Sequence, residues 1–229
     1  MGQLQYTRKI NMLMELERQQ IVEYGKKISS EKLTSGTSGN ISVYDPETGL
    51  MAISPSGIDY FETKPEDIVI MKLDGTIVEG SRKPSSEHNL HIALYKVKKD
   101  ARSIIHTHST YCTVLSTLNM PIQAVHYVLA DAGSNVVPVA PYVTFGTNEL
   151  AKVVAESIGE ADACLMQNHG MVACGKNVNA AFTLARECEW ISEVQWRAMC
   201  IGKPNILDKE EMDVVMGKFN NYGQVRSVK

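Results

Sequence analysis

The sequence predicts a single three-layer α/β domain, in which helices cover both faces of a mixed, largely antiparallel central sheet. Two pairs of short apolar segments, each pair joined by a turn, indicate β-hairpins: "NISVY" with "LMAIS", and "DIVIMK" with "TIVEG". Hairpins require antiparallel pairing, which excludes a purely parallel sheet. Helical patterns at 86–98, 148–158 and 179–201 supply the covering layers. Because the chain has 229 residues, 44% of them hydrophobic, and no flexible linker, residues 1–229 form one domain.

The first predicted element is an amphipathic helix over about residues 7–28. Its apolar side chains recur at helical spacing and face the core; they are Ile10, Leu13, Met14, Ile21 and Val22. The loop "TSGTSGN" at 34–40 ends this helix, because Gly, Ser and Asn favour turns. The two hairpins follow this loop.

Two later helices have recognisable ends. The helix at 148–158 has Asn148 as its predicted cap and stops at Gly159. The last helix begins after Asp208, with Glu211 three residues further on, in the pattern of a capping box. These signals are structural and indicate no chemistry.

Composition narrows the class of partner. The net charge of −3 and pI of about 6.1, without a long Lys/Arg run, exclude nucleic acid or an anionic membrane as the main partner and favour a small molecule. The first residues, "MGQLQYTRKINMLMELERQQ", have no uninterrupted apolar stretch, so they predict neither a secretory signal nor a membrane anchor. The five cysteines contain no Cys-x-x-Cys pair, which predicts a reduced, cytoplasmic protein with each thiol buried.

The stretch "SIIHTHST" at 103–110 places two histidines at the end of a short apolar strand. Side chains alternate along a strand, so His106 and His108 face one side and Thr107 the other. Two imidazoles on one side can chelate one divalent metal. The simpler interpretation is a pair of hydrogen-bonded polar residues that finish the strand. A metal needs further ligands from elsewhere in the chain.

His169 is a candidate third ligand. It lies in a turn between two short apolar strands, in "CLMQNHGMVACG", where sheet-based sites commonly occur. Three neutral imidazoles leave the full positive charge on zinc and keep one or two coordination positions open.

Glu87 is the candidate fourth group, at the start of a helix behind the possible caps Ser85 and Ser86. A carboxylate there also complements the positive helix end, worth about 0.3–1 kcal/mol, and the residues alone favour this second interpretation. Glu87 and His91, four residues apart on one helix face, form a rival metal pair. The residues alone do not rank this pair against His106 and His108.

Three small, hydroxyl-rich loops are candidate phosphate sites. They are "GTSGN" at 36–40, "SPSG" at 54–57 and the serine pair at 85–86. Backbone N–H groups, hydroxyls and a helix N-terminus together bind phosphate without Lys or Arg. Each loop by itself is an ordinary turn, but together with a metal they indicate a phosphorylated sugar.

Seven stretches, in this order and spacing, resemble the zinc-dependent class II aldolases of the L-fuculose-phosphate aldolase type: "GTSGNIS", "SPSGI", "KPSSE", "HTHSTYC", "HYVLADAG", "PVAPYVTFGTNELA" and "QNHGMVACG". The resemblance covers nearly the whole chain, including the tail "KFNNYG". It implies a single cytoplasmic domain of the class II aldolase or adducin-head type.

The resemblance also implies a site. One Zn²⁺ per subunit is held by four side chains, Glu87, His106, His108 and His169, and Glu87 is also the catalytic acid/base. Seven loop residues bind the substrate phosphate: Thr37, Gly39, Asn40, Ser56, Gly57, Ser85 and Ser86. The other histidines, His88, His91 and His126, match no ligand of the family and are assigned to structure.

In the family that the chain resembles, the active site lies between subunits of a cyclic homotetramer. Tyr127 matches the catalytic tyrosine, which reaches in from a neighbouring subunit. Phe145, Phe219 and Tyr222 match residues that shape the aldehyde pocket, the last two on a mobile tail from about residue 217.

The implied activity is reversible cleavage of L-fuculose 1-phosphate, or a similar ketose 1-phosphate, to dihydroxyacetone phosphate and L-lactaldehyde, in fucose and related carbohydrate catabolism. The alternatives are a 4-epimerase of the L-ribulose-5-phosphate type, a ketose-1-phosphate dehydratase and a non-enzymatic scaffold domain. Members that resemble the epimerase tend to carry Asp where this chain has Glu87, and the scaffold members lack the zinc histidines. The residues therefore favour the aldolase.

Overall fold

The computed structural model describes residues 12–219. Its six α-helices are α1 (Glu15–Ser30), α2 (His88–Val97), α3 (Thr110–Thr117), α4 (Asn148–Ser157), α5 (Val178–Ile201) and α6 (Lys209–Phe219). Its strands are β1 (Asn40–Asp45), β2 (Leu50–Ile53), β3 (Val69–Lys72), β4 (Ile77–Glu79), β5 (Ser103–Thr107), β6 (Ile122–Gln123), β7 (Val136–Val137), β8 (Val139–Ala140), β9 (Ala163–Met166) and β10 (Gly170–Gly175). Two short 3₁₀ helices span Pro65–Asp67 and Tyr127–Ala132.

Eight strands form the central sheet, in the order β4-β3-β2-β1-β5-β10-β9-β8. The β8–β9 pair is parallel and the other neighbours are antiparallel, which confirms the mixed, largely antiparallel sheet. Both predicted hairpins are present, as β1–β2 and β3–β4. Strands β6 and β7 pair separately.

The sheet separates two apolar cores, because alternate residues of each strand face opposite sides. On one side, Ile105 and Ala173 pack in a core with residues of α1, α3 and α5. On the other side, Ile104 and Val172 pack with residues of α2 and α4. This arrangement confirms the three layers. His106 has the same parity as Ile104 and therefore faces the α2 side.

The helix ends differ from the predictions in two places. Helix α1 begins at Glu15, not near residue 7, because Met14 adopts a left-handed conformation with φ 56°. Residues 1–11, including Ile10, lie outside the described residues; Leu13 and Met14 still pack against the core. Helix α4 is capped by Thr147, not Asn148: the Thr147 Oγ1 accepts a hydrogen bond from the Leu150 N–H at 3.1 Å.

The cap of the last helix is confirmed, whereas the burial of the cysteines differs at one position. The Asp208 carboxylate caps α6 by accepting a hydrogen bond from the Glu211 N–H at 2.8 Å. All five cysteines are free thiols, and four are buried; Cys200 is exposed, so the prediction that every thiol is buried is wrong there. Between residues 12 and 219, no helix is both long enough and apolar enough to cross a membrane.

Candidate metal centre and active-site pocket

Three histidines meet at one edge of the sheet. His106 and His108 come from the end of β5, and His169 from the turn between β9 and β10. The ring centroids are 4.8–5.0 Å apart, and the candidate ligand nitrogens all lie within 4.8 Å of one another. The Nε2 atoms of His106 and His108 are 3.0 Å apart. The structure therefore brings together all three predicted histidine ligands.

The strand pairing explains why these side chains converge. His106 lies opposite Asn40 on β1 and opposite Val172 on β10. The β9–β10 turn brings His169 back to the same edge, with Asn168 in a left-handed conformation at φ 55°. Gly170 allows this close approach, since a Cβ there would lie 2.3 Å from the Thr107 carbonyl oxygen and 3.0 Å from the His108 Cδ2.

Glu87 lies beside the histidines. It is the residue just before α2. Its Oε2 lies 3.2 Å from the Nε2 of His106, and its Oε1 lies 3.4 Å from the Nε2 of His169. Its side chain is nearly buried, at 7% exposure. Ser85 Oγ accepts a hydrogen bond from the Glu87 N–H at 3.2 Å, so Ser85 fixes the backbone there. The Glu87 side chain thus faces the three histidines and makes no capping hydrogen bond to α2.

The ionisable side chains of this cluster shift one another's pKa values. Burial raises the pKa of Glu87, but the charges of His106 and His169 and the hydrogen bonds of the carboxylate lower it by more. Burial lowers the pKa of His106, whereas the Glu87 carboxylate raises it by more. Burial and the charge of His106 lower the pKa values of His108 and His169 to about 4. Two imidazoles are therefore neutral at neutral pH, beside a carboxylate.

The donor set fits a divalent metal. The His106 Nδ1 lies 2.9 Å from the Met171 carbonyl oxygen, which can only accept a hydrogen bond. A neutral His106 therefore carries its proton on Nδ1 and turns its Nε2 lone pair toward His108. The Glu87 Oε1 is buried and has no hydrogen-bond partner in the described part of the chain. Three imidazole nitrogens and a carboxylate form a ligand set typical of zinc. His106, His108 and His169 can hold the ion, with Glu87 beside it.

A pocket of about 340 Å³ opens next to this cluster. Its walls include Glu87, His108 and His169. All seven predicted phosphate residues also line it: Thr37, Gly39, Asn40, Ser56, Gly57, Ser85 and Ser86. Three loops that are distant in sequence therefore face the same space as the candidate metal ligands.

Backbone hydrogen bonds hold these loops together. The Ser85 N–H donates to the Ser54 carbonyl oxygen, and the Ser56 N–H to the Lys83 carbonyl oxygen, each at 3.0 Å. Gly39 has φ +77°, and a Cβ on it would lie 2.7 Å from the carbonyl oxygen of His106. A glycine is thus required where the first loop passes behind the histidine.

The predicted aromatic residues are divided between two places. Phe145 lines the pocket and is 65% exposed. Tyr127 and Phe219 do not line it; their rings lie 6.1 Å apart on another part of the surface, with Tyr127 49% exposed. Tyr222 lies outside the described residues. A single chain therefore does not bring Tyr127 into the pocket.

The remaining histidines have structural partners. His91 is fully buried on α2, with its Nδ1 2.7 Å from Ser42 Oγ and its Nε2 2.5 Å from Asn40 Oδ1. His88 Nδ1 lies 2.9 Å from the Ser85 carbonyl oxygen. His126 packs edge-on against Trp190. The rival Glu87–His91 metal pair is excluded by geometry, because both ring nitrogens of His91 already have hydrogen-bond partners.

Sequence reasoning missed several residues of the pocket. Tyr142, Val143 and Asn168 line it as well. Asn168 directly precedes His169, and Tyr142 lies three residues before Phe145, so proximity to a predicted site residue was the available signal. Tyr142 is fixed by a hydrogen bond from its N–H to Gln167 Oε1 at 3.0 Å.

The fold and the three-histidine site define a class of protein. Residues 19–196 match the family described as Class II Aldolase and Adducin N-terminal domain. The chain belongs to this family and is a class II aldolase, a class of metal-dependent enzymes.

Individual relatives support this assignment. The chain is 46% identical over 213 residues to a 5-deoxy-D-ribulose 1-phosphate aldolase of Bacillus thuringiensis serovar kurstaki, covering 93% of this chain and 100% of the relative. It is 40% identical over 205 residues to an L-fuculose phosphate aldolase of Escherichia coli O6:H1, covering 89% and 94%. A solved L-fuculose 1-phosphate aldolase is similar with a TM-score of 0.89 at 44% identity, covering 91% of this chain and 98% of that one.

Proposed function

We propose that the protein is a zinc-dependent aldolase that reversibly cleaves a ketose 1-phosphate, such as L-fuculose 1-phosphate, to dihydroxyacetone phosphate and a short aldehyde. One observation carries the proposal. Glu87 lies beside the three-histidine cluster and lines the same pocket as the hydroxyl-rich loops. A carboxylate beside a metal site, with a phosphate pocket next to it, suits proton transfer at a carbon atom of a phosphorylated sugar.

The loops are proposed to anchor the C1 phosphate. Hydroxyls of Thr37, Ser56, Ser85 and Ser86 and the N–H groups around Gly39 and Gly57 line the pocket. Neutral donors of this kind bind phosphate without a lysine or arginine. Because the phosphate is held there, the reacting carbons lie in a fixed orientation beside Glu87.

His106, His108 and His169 are the proposed holders of the metal, whose Lewis acidity stabilises negative charge that develops on the sugar oxygens during cleavage. Cleavage breaks the bond between C3 and C4, and C4 becomes the aldehyde carbon as its hydroxyl loses a proton. Glu87 then delivers a proton to C3 to complete dihydroxyacetone phosphate. In the reverse direction, Glu87 removes that proton.

A neighbouring subunit is proposed to supply the group that exchanges a proton with the C4 oxygen. Tyr127 is half-exposed and does not line the pocket of its own chain. The family resemblance implies a cyclic homotetramer in which Tyr127 of one subunit reaches the site of another. Phe145 and the chain end with Phe219 and Tyr222 are proposed to enclose the aldehyde.

Two substrates are proposed as candidates, and they differ only in the aldehyde. L-Fuculose 1-phosphate gives L-lactaldehyde, and 5-deoxyribulose 1-phosphate, suggested by the 46% identical relative, gives acetaldehyde. Both contain the same phosphorylated half, so the loops and Glu87 serve either. The choice depends on the pocket around Tyr142 and Phe145.

The proposal is tested by measuring release of dihydroxyacetone phosphate from both sugars by the purified protein, before and after a zinc chelator and again after zinc is restored. We expect cleavage that the chelator abolishes and zinc recovers. Absence of cleavage by zinc-loaded protein would reject the aldolase. Conversion of L-ribulose 5-phosphate, or loss of water from a ketose 1-phosphate, would then indicate the epimerase or the dehydratase.

The shared site is tested by mixing two inactive variants. His169→Ala removes a ligand and Tyr127→Phe removes the phenol hydroxyl. Mixed oligomers formed after subunit exchange contain sites with neither defect only if the two residues come from different chains. Recovered activity is expected in the mixture, and a mixture no more active than its components would reject the shared site.

A further inference from the structure

A continuous chain of buried polar groups leads from helix α2 to the candidate acid/base. Tyr95 OH lies 2.7 Å from Ser42 Oγ, which lies 2.7 Å from the His91 Nδ1. The His91 Nε2 lies 2.5 Å from Asn40 Oδ1, and the Asn40 Nδ2 donates to Glu87 Oε2 at 3.0 Å. All five side chains are buried. Water is therefore excluded as an alternative partner along most of the chain.

The carboxylate fixes the direction of every hydrogen bond in this chain. Ionised Glu87 only accepts, so Asn40 must turn its amide NH₂ toward Oε2 and its carbonyl oxygen toward His91. The carbonyl oxygen also only accepts, so neutral His91 carries its proton on Nε2. Its Nδ1 then accepts from the Ser42 hydroxyl, and Ser42 in turn accepts from Tyr95.

This direction makes the two oxygens of Glu87 different. Oε2 is held by Asn40, whereas Oε1 has no hydrogen-bond partner among residues 12–219 and lies 3.4 Å from the His169 Nε2. A proton taken up by Glu87 meets an oxygen that already accepts from Asn40 at Oε2, and one that Asn40 does not hold at Oε1. The orientation of the Asn40 amide thus determines which oxygen reacts.

We propose that His91 is a positioning residue: by donating from Nε2 to Asn40, it locks the amide that holds Glu87 Oε2 and leaves Oε1 to exchange the proton. This inference rests on the proposed function, because it assigns a geometry to its acid/base. It also gives Asn40 a role in orienting Glu87, in addition to its place in the wall of the phosphate pocket.

Three variants separate positioning from packing. His91→Phe keeps an aromatic ring but has no donor, so we expect kcat to fall about 10–100-fold while KM and bound metal stay near wild type. His91→Gln has an amide N–H near the position of Nε2 and should recover most of this loss. Tyr95→Phe is the matched control: it removes a buried hydroxyl from the far end, but Ser42 still donates to His91.

The kcat values of these variants can contradict the positioning role of His91. A purely structural role for His91 would lower the stability of His91→Phe and Tyr95→Phe alike and leave kcat similar in both. Equal kcat values in these two variants, or no recovery in His91→Gln, would overturn the proposal. Recovery in His91→Gln with unchanged kcat in Tyr95→Phe supports it.

A second measurement does not depend on activity. In ¹⁵N-histidine-labelled protein at neutral pH, nitrogen shifts distinguish the two neutral tautomers, and the spectrum of His91→Gln identifies the His91 signals. We expect a protonated Nε2 and an unprotonated Nδ1. A protonated Nδ1 would overturn the proposal even in an active enzyme. Failure of the wild-type protein to cleave ketose 1-phosphates would reject the proposed function. The His91 tautomer tests the orientation of the Asn40 amide, whether or not cleavage is observed.

Discussion

Glu87 Oε2 lies 3.2 Å from the His106 Nε2, although Glu87 directly precedes helix α2 and His106 is near the end of strand β5. This contact places a carboxylate at the edge of the three-histidine site. Three histidines remain when the carboxylate is replaced, so the proposed role of Glu87 in proton transfer can be tested separately from metal binding.

Replacement of Glu87 by Gln tests this separation. The amide has nearly the same shape but does not exchange a proton as a carboxylate does, so kcat should fall about 10²–10⁴-fold. Bound zinc should stay close to the wild-type amount, because three histidines remain. Turnover and metal content are measured on the same sample. Glu156→Gln, on the exposed face of α4, is the control, and near-normal turnover in Glu87→Gln would remove Glu87 from the mechanism.

Replacement of His169 by Ala should have the opposite effect on the metal. Two histidines on one strand end are left, so we expect most of the zinc to be lost on dialysis. Elemental analysis after dialysis gives the metal content. His126→Ala is the matched control, since His126 packs against Trp190 outside the cluster. Full zinc in dialysed His169→Ala would contradict the three-histidine assignment.

The local part of the site could be predicted from the sequence. Strand alternation alone places His106 and His108 on one side, and the turn in "QNHG" places His169 at a strand end. The choice between two roles for Glu87 could not be made from its own surroundings, because its partners His106 and His169 are distant in sequence. Only the resemblance to a family connected these segments.

The partners of His91 show the same limit. Four-residue spacing makes Glu87 and His91 a plausible pair, yet the His91 ring binds Asn40 and Ser42 on β1, about fifty residues earlier. Strand order therefore decides the role of this histidine. The start of α1 was mispredicted for a different reason: the left-handed Met14 interrupts a pattern whose hydrophobic spacing continues through it.

Gly170→Ala should destabilise the protein. The added Cβ would lie 2.3 Å from the Thr107 carbonyl oxygen and 3.0 Å from the His108 ring, so backbone must shift, which costs about 1–3 kcal/mol. Zinc affinity should fall as well, because the His108 ring is displaced. Urea unfolding and competition with a zinc-binding dye measure the two effects.

Gly217→Ala provides the control for this substitution. No atom of residues 12–219 lies within 4 Å of the added Cβ, and Gly217 is inside helix α6. Alanine there should raise the free energy of unfolding by about 0.5–1 kcal/mol. If both variants shift stability in the same direction and leave zinc affinity unchanged, close packing at Gly170 is not what holds His108.

Glu189→Gln should weaken the start of helix α3. The Glu189 carboxylate accepts hydrogen bonds from the Tyr111 and Cys112 N–H groups at 2.9–3.0 Å, whereas Ser109 makes no side-chain cap. Loss of this carboxylate from the helix N-terminus should cost about 0.5–2 kcal/mol in thermal or urea unfolding. Glu193→Gln, four residues later on α5 in an exposed pair with Arg197, should change stability by less than about 0.5 kcal/mol. Equal losses would show that Glu189 is not a significant cap.

Glu187→Gln should stabilise the protein in a pH-dependent way. Burial, and then the hydrogen bond to Asp131 and the charge of Asp131, raise the pKa of Glu187 from 4.5 to about 8. Between these two values the folded protein binds more protons at this carboxyl than the unfolded chain, so its contribution to stability decreases as the pH rises. Glutamine does not ionise and escapes this loss. The free energy of unfolding of Glu187→Gln relative to wild type should therefore increase from about pH 5 to about pH 8, as measured by urea titration at each pH. Glu156→Gln, which is exposed, should show no such trend. A constant difference between Glu187→Gln and wild type across this range would mean that Glu187 ionises normally in the folded protein.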